Sequence, residues 1–236
     1  VYKRQTQDNN TQGGPSRTLR RDGISNADWF VLLGGDGHQP ATEPNNPNIV
    51  YAQSQEGYLN RIDRSSGEVV SIRPQEGIDE PYERFNWDSP IVVSHHNPKT
   101  IYFGSQRVWK SNNRGDSWTP ISKDLTKDEE RFSLPIMGRI QSIDNAWDVY
   151  AMSTYNTITS ISESKLDSNI IYIGTDDGII QSTKDGGLQW DKMTVDQLPK
   201  TPASAFVNDI KTDLFDSKKT YICLDCLLYT SPSPRD

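Results

Sequence analysis

Four aspartates, Asp36, Asp88, Asp144 and Asp148, are the carboxylates that could do acid–base work in this chain. Glycoside hydrolysis commonly uses two such groups about 5 to 9.5 Å apart, one of them kept protonated by its surroundings. Nothing in the spacing sets any two of the four face to face. Asp36 stands in Gly34-Gly35-Asp36-Gly37, where the glycines would let a ligand approach closely; it is an acid or base if paired, and a turn-stabilising residue if not. Arg84, Trp87 and Asp88 precede a predicted strand, and an arginine with an aromatic platform can hold a sugar or a carboxylate; the competing role is packing at a strand end. Tyr155, at the start of another strand, joins them as a ligand-binding candidate. Asp176-Asp177-Gly178 reads as a solvated hairpin turn.

Metal and cofactor chemistry finds little support. His95 and His96 would point to opposite faces of an extended chain, His38 is isolated, and no cysteine or carboxylate lies at a ligand spacing, so no metal site is expected. There is no Asp-x-Asp-x-Asp-Gly calcium loop. Neither G-x-G-x-x-G nor G-x-x-x-x-G-K-[ST] occurs, and no nucleotide or other cofactor is expected. Cys223-x-x-Cys226 has the form of a redox or metal pair. Its second member, however, belongs to Cys226–Asp236, which reads as translated sequencing-adapter DNA, as Val1–Gln5 does at the other end. The native stretch is then expected to be Thr6–Asp225, a fragment that begins and ends inside structural units of something longer.

Composition narrows the class of partner. Hydrophobic residues make up 33% and the net charge is −7, with a pI of about 5.0 and a mean hydropathy of −0.74. Basic residues are scattered among acids, which disfavours nucleic acid, whose phosphates need clustered Lys and Arg. No run is long enough to cross a membrane.

The elements that must position the candidates are β-strands. Ten Tyr, six Trp and sixteen Gly, with β-branched runs between Asn, Asp, Gly and Pro, predict an all-β chain rich in turns. Thr6–Arg17 reads as a loop. The apolar run Asp28–Leu33 predicts an inner strand buried on both faces, followed by Ile49–Ser54, Tyr58–Asp63 and Val69–Arg73. A second unit reads Pro90–Ser94, Thr100–Ser105, Val108–Ser111 and Ser117–Ile121; a third reads Tyr155–Ser162, Asn169–Gly174, Gly178–Ser182 and Gln189–Thr194. A fourth opens with Ala205–Asp213 and Thr220–Cys223. Between the second and third, Phe132–Met152 is longer than a turn needs, which is where function often sits.

These units repeat. A marker tyrosine in each second strand falls at Tyr51, Tyr102, Tyr172 and Tyr221, at intervals of 51, 70 and 49 residues. Four-stranded units recurring at roughly this spacing are the signature of propeller blades. The expected architecture is therefore a β-propeller fragment of about four four-stranded blades, spanning approximately 27–74, 84–122, 153–195 and, truncated, 204–225. Two polar turns repeat as well: Ser111-x-Asn113-x-Gly115-x-x-Trp118 and Thr183-x-Asp185-x-Gly187-x-x-Trp190.

This motif resembles the Asp-box, or BNR repeat, of sialidase-like propellers. The wider pattern, including QDNNTQGGPSR, GGDG, NPKTIYFGS and YIGTDDGIIQSTKDGGLQW, resembles the sortilin-type (VPS10) propeller proteins of bacteria often labelled glycosyl hydrolases. The resemblance implies a structural, rim-side role for the eight box residues and ligands met by the innermost strands at one mouth. It implies a recognition module for protein, peptide or carbohydrate, or else a secreted glycoside hydrolase of sialidase- or xyloglucanase-like type, and a secreted or cell-envelope location. The arginine triad and Tyr/Glu pair of sialidases match no motif here.

Overall fold

The computed structural model describes residues 2–5, 8–136, 139, 140, 142, 144 and 154–225. Among them there is no α-helix, only strands and single 3₁₀ turns. Hence no helix among the described residues is long and apolar enough to cross a membrane.

Three antiparallel four-stranded meanders carry the fold. Blade one contains β4 (His38–Glu43), β5 (Asn46–Ser54), β6 (Tyr58–Asp63) and β7 (Glu68–Ser71). Blade two contains β8 (Ile91–Val93), β9 (Ile101–Gly104), β10 (Val108–Ser111) and β11 (Thr119–Pro120). Blade three contains β14 (Ile158–Glu163), β15 (Ile171–Thr175), β16 (Ile179–Thr183) and β17 (Asp191–Thr194). The pair β18 (Phe206–Thr212) and β19 (Thr220–Asp225) begins a fourth. Ahead of blade one, β1 (Tyr2–Gln5), β2 (Thr11–Gly14) and β3 (Phe30–Leu33) make a separate sheet, and β12 (Pro135–Ile136) pairs with β13 (Arg139–Ile140). The first strands β4, β8, β14 and β18 neighbour one another in that order, as spokes around an axis require.

Two expectations change. Phe30–Leu33 is not the inner strand of blade one: it pairs with β2, and Val31 is 59% exposed, so the run is not buried on both faces. The inner strand is His38–Glu43, whose sequence, with Pro40 in it, looks unlike a strand. A bulge between His38 and Ala41 takes up the proline, which has no N–H for the ladder. Likewise Thr11–Gly14 is strand and not loop; its glycines leave room for the Phe30 and Trp29 rings, which an added Cβ would meet at 2.8 and 2.6 Å. The outer edge of β2 is completed by Tyr2–Gln5, inside the segment that reads as adapter. An open strand edge offers backbone groups that an extended segment of any sequence can complete.

The cores lie between blades. Tyr51, Leu59 and Ile72 from blade one meet Phe85, Ile91, Ile101, Phe103 and Trp109 of blade two. Tyr102, Val108 and Leu125 meet Ile158, Ile161, Ile171 and Ile173 of blade three; Ile180 and Val195 meet Val207 and Ile210 of the fourth sheet. Each such side chain contributes roughly 1.5 to 3 kcal/mol when buried.

The repeated turns fasten these interfaces. In one, the Ser111 hydroxyl donates to Asn113 Oδ1 (2.9 Å) and accepts from the Gly115 N–H (2.8 Å). In the other, Thr183 donates to Asp185 (2.7 Å) and accepts from the Gly187 N–H (3.0 Å). Both turns then reach back one blade: the Trp118 indole N–H donates to the Ile72 carbonyl (2.7 Å), and that of Trp190 to the Ile121 carbonyl (3.2 Å). Ile72 and Ile121 each follow the outermost strand of the preceding blade. Gly115 (φ 89°) and Gly187 (φ 107°) sit on the same isoleucines; an added Cβ would lie 2.5 Å from Ile72 Cδ1 and 2.6 Å from the Ile121 carbonyl oxygen. Arg114 adds a two-pronged ion pair to the buried Glu43 (2.9 and 2.7 Å).

Gly115→Ala and Gly187→Ala should therefore each cost about 1 to 3 kcal/mol in urea denaturation. Gly67→Ala is the control, because Gly67 shares the left-handed angle (φ 79°) but has nothing within 4 Å of an added Cβ. Equal losses at all three sites would mean that the backbone angle alone, and not the contact with the previous blade, sets the cost.

Candidate functional site

In a meander, the start of the first strand and the hairpin between the second and third strands share one end of the blade. The turn between third and fourth strands, where Trp118 and Trp190 lie, is at the other. The candidate mouth is thus built from residues just before β4, β8 and β14 and from the hairpins at 55–57, 105–107 and 176–178. The sequence reaches these hairpins by register: they lie three to six residues past the marker tyrosines Tyr51, Tyr102 and Tyr172.

At blade three the hairpin is not solvated, contrary to expectation: Asp176 is 6% exposed and Asp177 fully buried. Gly178 packs under the Ala203 carbonyl, which brings the following chain over the turn. Thr157, at the start of the inner strand, gives its N–H to Asp176 Oδ1 (2.9 Å) and its hydroxyl to Oδ2 (2.7 Å). Asp177 accepts from the Thr175 hydroxyl and from the Lys127 N–H (2.6 Å). Burial raises both carboxyls above the ordinary range, Asp176 to about 7, against the opposing pull of these donors. Tyr155 stands beside them, its phenol pushed up to about 12 by burial and by Asp176 and Asp177. The Arg131 guanidinium lies 5.3 Å from the Tyr155 ring centroid. Both line a cleft of about 280 Å³ with Leu134 and Pro135.

Arg84 is committed elsewhere. Its guanidinium bonds Asp124 (2.5 Å), Asp128 (3.0 Å) and the Asn156 carbonyl (3.2 Å). This ties the approach to blade two onto the approach to blade three and leaves little of the arginine fork for a ligand. Asp36 is 5% exposed, and its Oδ1 accepts from the Asp8 N–H (2.8 Å), an anchoring contact. Asp144 lies in an exposed turn, and Asp148 falls outside the described residues, as does most of 137–153.

Asp88 differs from these. Its side chain is 47% exposed while Oδ1 is buried, 3.6 Å from His38 Nδ1 at the start of blade one. Burial of that side raises its carboxyl, against the pull of His38 and of Gln39. Trp87, half-buried, directly precedes it. A polar chain joins Asp88 to blade three: its N–H donates to Asn86 Oδ1 (3.0 Å), Asn86 Nδ2 donates to the Thr157 hydroxyl (2.8 Å), and Thr157 donates to Asp176. Blades two and three are thus linked across the mouth by a single run of hydrogen bonds, which the His38–Asp88 contact extends to blade one. Sequence reasoning singled out Asp88 but missed Asn86, Thr157 and Gln53, whose residue types carry no catalytic signature.

No protein-family profile matches the chain, and no curated protein matches it. Among solved structures, the crystal structure of an ancestral GH74 enzyme is similar with a TM-score of 0.51 at 15% identity, over 80% of this chain and 22% of that one. The GH74 enzyme of Niastella koreensis is similar with a TM-score of 0.57 at 12% identity, over 93% of this chain and 33% of that one. The chain thus spans a third or less of the length of these enzymes. At such identities the likeness is one of fold: this chain is an all-β, β-propeller chain built from four-stranded blades.

An acid whose pKa is higher folded than unfolded holds its proton more tightly in the folded state. Stability linked to Asp176 is thus complete below its ordinary 3.8 and is lost as pH rises through about 7. Asp176→Asn should flatten that decline by up to roughly 4 kcal/mol, at 1.36 kcal/mol per pKa unit. Asp177, raised for the same reason, leaves a residual slope. Urea midpoints between pH 4 and 8 read the difference, and a variant that declines as steeply as the native chain would show that Asp176 is not the source.

Proposed function

We propose that the chain is part of an Asp-box propeller of the sialidase-like, sortilin-related kind, acting as a recognition module whose mouth binds a ligand, with carbohydrate as the favoured class over protein or peptide. The observation that carries this reading is the state of the mouth's charged groups. Among the described candidates, Asp36, Asp176, Asp177 and Arg84 are held by the protein's own hydrogen bonds and ion pairs. Asp88 alone combines a half-exposed carboxylate with an adjacent aromatic residue, Trp87. A half-exposed carboxylate beside an indole suits the binding of a sugar, whose hydroxyls donate to the acid and whose C–H face packs on the ring. It does not suit hydrolysis by two facing acids. The fold-level likeness to GH74 enzymes supports carbohydrate over other ligands.

A second reading, hydrolysis, is favoured by Asp176, a carboxylic acid raised to about 7 as a general acid requires. Glycan and peptide arrays probed with the parent protein, followed by turnover assays on whatever binds, separate the two. We expect glycan binding without turnover, weakened about tenfold or more by Asp88→Asn. Hydrolysis abolished by Asp176→Asn or Asp36→Asn would establish the enzyme instead.

A further inference from the structure

Blade one breaks the repeat at the mouth. Two residues past the marker tyrosine, blades two and three have glycines, Gly104 and Gly174, against which the next blade packs directly: an added Cβ would lie 3.0 Å from Ile158 Cγ2 and 2.2 Å from Val207 Cγ1. Blade one has Gln53 at that position, fully buried, with His38 opposite it in register on β4. The Gln53 amide donates to the Ser89 carbonyl of blade two, which sets it beside Asp88. A glutamine side chain thus stands where the other blades have a glycine covered by the next blade.

This exchange leaves polar atoms unanswered. Gln53 Oε1, His38 Nε2 and Asp88 Oδ1 are all buried without a hydrogen-bond partner. His38 itself is 9% exposed. A buried polar atom without a partner costs about 1 to 3 kcal/mol, so three in one place mark a position prepared for something that supplies the missing bonds.

We propose that His38, Gln53 and Asp88 form a hydroxyl-receiving subsite at the mouth between blades one and two, a position that takes adjacent hydroxyls of a sugar or polyol. The inference rests on the carbohydrate reading above and assigns it a place. Chemistry selects the class. Gln53 Oε1 and a charged Asp88 Oδ1 only accept, whereas His38 Nε2 donates or accepts according to tautomer. The Nδ1 edge of His38 faces Asp88, so its Nε2 edge points away from the carboxylate. A single ammonium group cannot reach both sides of the ring. Consecutive hydroxyls along a sugar edge can, and each both donates and accepts. Asp88, with its half-exposed side chain, gives the cluster its contact with solvent.

The test follows the ring signals of His38 by NMR in the full chain during titration with D-xylose, D-glucose and xylitol, with methylammonium as a donor-only control. The expected result is a saturable His38 shift with the sugars and polyol, weakened about tenfold or more in Asp88→Asn and in Gln53→Leu. Asp88→Asn is the primary variant, since its half-exposed side chain can change without unfolding the sheet; Gln53→Met replaces Gln53→Leu if the latter does not fold. A silent His38, a response to methylammonium alone, or a sugar response untouched by Asp88→Asn would each overturn the subsite. Glycan arrays that bind while His38 stays silent would remove the subsite and keep the carbohydrate reading; blank arrays with a responding His38 would do the reverse.

Discussion

Each blade here is dried by the next one. Within a single meander, residues such as Tyr51 or Ile173 would stand on an open sheet face; they are buried because a neighbouring sheet covers them, and all three large clusters of core residues span two sheets. A blade has no core of its own, so its stability is that of its interfaces, as in other architectures made by repetition. Everything else is arranged around this dependence. The indole bonds of Trp118 and Trp190 fix the outer rim of an interface, while Arg84, Asn86 and Thr157 fix its mouth end.

Electrostatics at the mouth follow from the same packing. Drawing the start of blade three against the approach to blade two takes Asp176 and Asp177 out of water, and their carboxyls rise despite several donors. Elsewhere the interface resolves buried charge by pairing. Glu83 is fully buried and takes Arg107 (2.7 Å), the Ser105 hydroxyl (2.5 Å) and the Trp109 indole (3.1 Å). Glu163 accepts from Ser94 (2.9 Å), Tyr102 (3.1 Å) and the His95 N–H (3.0 Å) across blades two and three. Asp88 and His38 face each other at 3.6 Å with Asp88 Oδ1 and His38 Nε2 given no hydrogen bond, and that contrast, more than residue type, sets them apart.

Much of the architecture was legible in the sequence because the repeat writes the same chemistry several times. β-branched and aromatic runs ending in Gly, and the spacing of Ser, Asn or Asp, Gly and Trp in the turns, located the strands β8 to β11 and β14 to β17 to within a few residues. Blade one was harder. Its inner strand, His38–Glu43, is polar and interrupted by Pro40, and the apolar run beside it was the more persuasive strand. Burial of Asp176-Asp177 was invisible because an Asp-Gly hairpin looks the same whether or not another segment, here Pro202–Ala205, lies over it. The mouth was only partly legible: Asp88 could be named, yet its meaning depends on His38 and Gln53, fifty and thirty-five positions away along the chain.

The backward reach of the two tryptophans also gives the assembly a direction in time. Ile72 is held by Trp118, 46 residues later, and Ile121 by Trp190, 69 residues later. On a ribosome, where synthesis proceeds from the N-terminus at about 5 to 20 residues per second, a finished blade emerges with its outer rim unfastened. It stays so until most of its successor has been made. Each joint is sealed by the newcomer, and the growing end always carries one unsealed blade that is exposed to premature pairing.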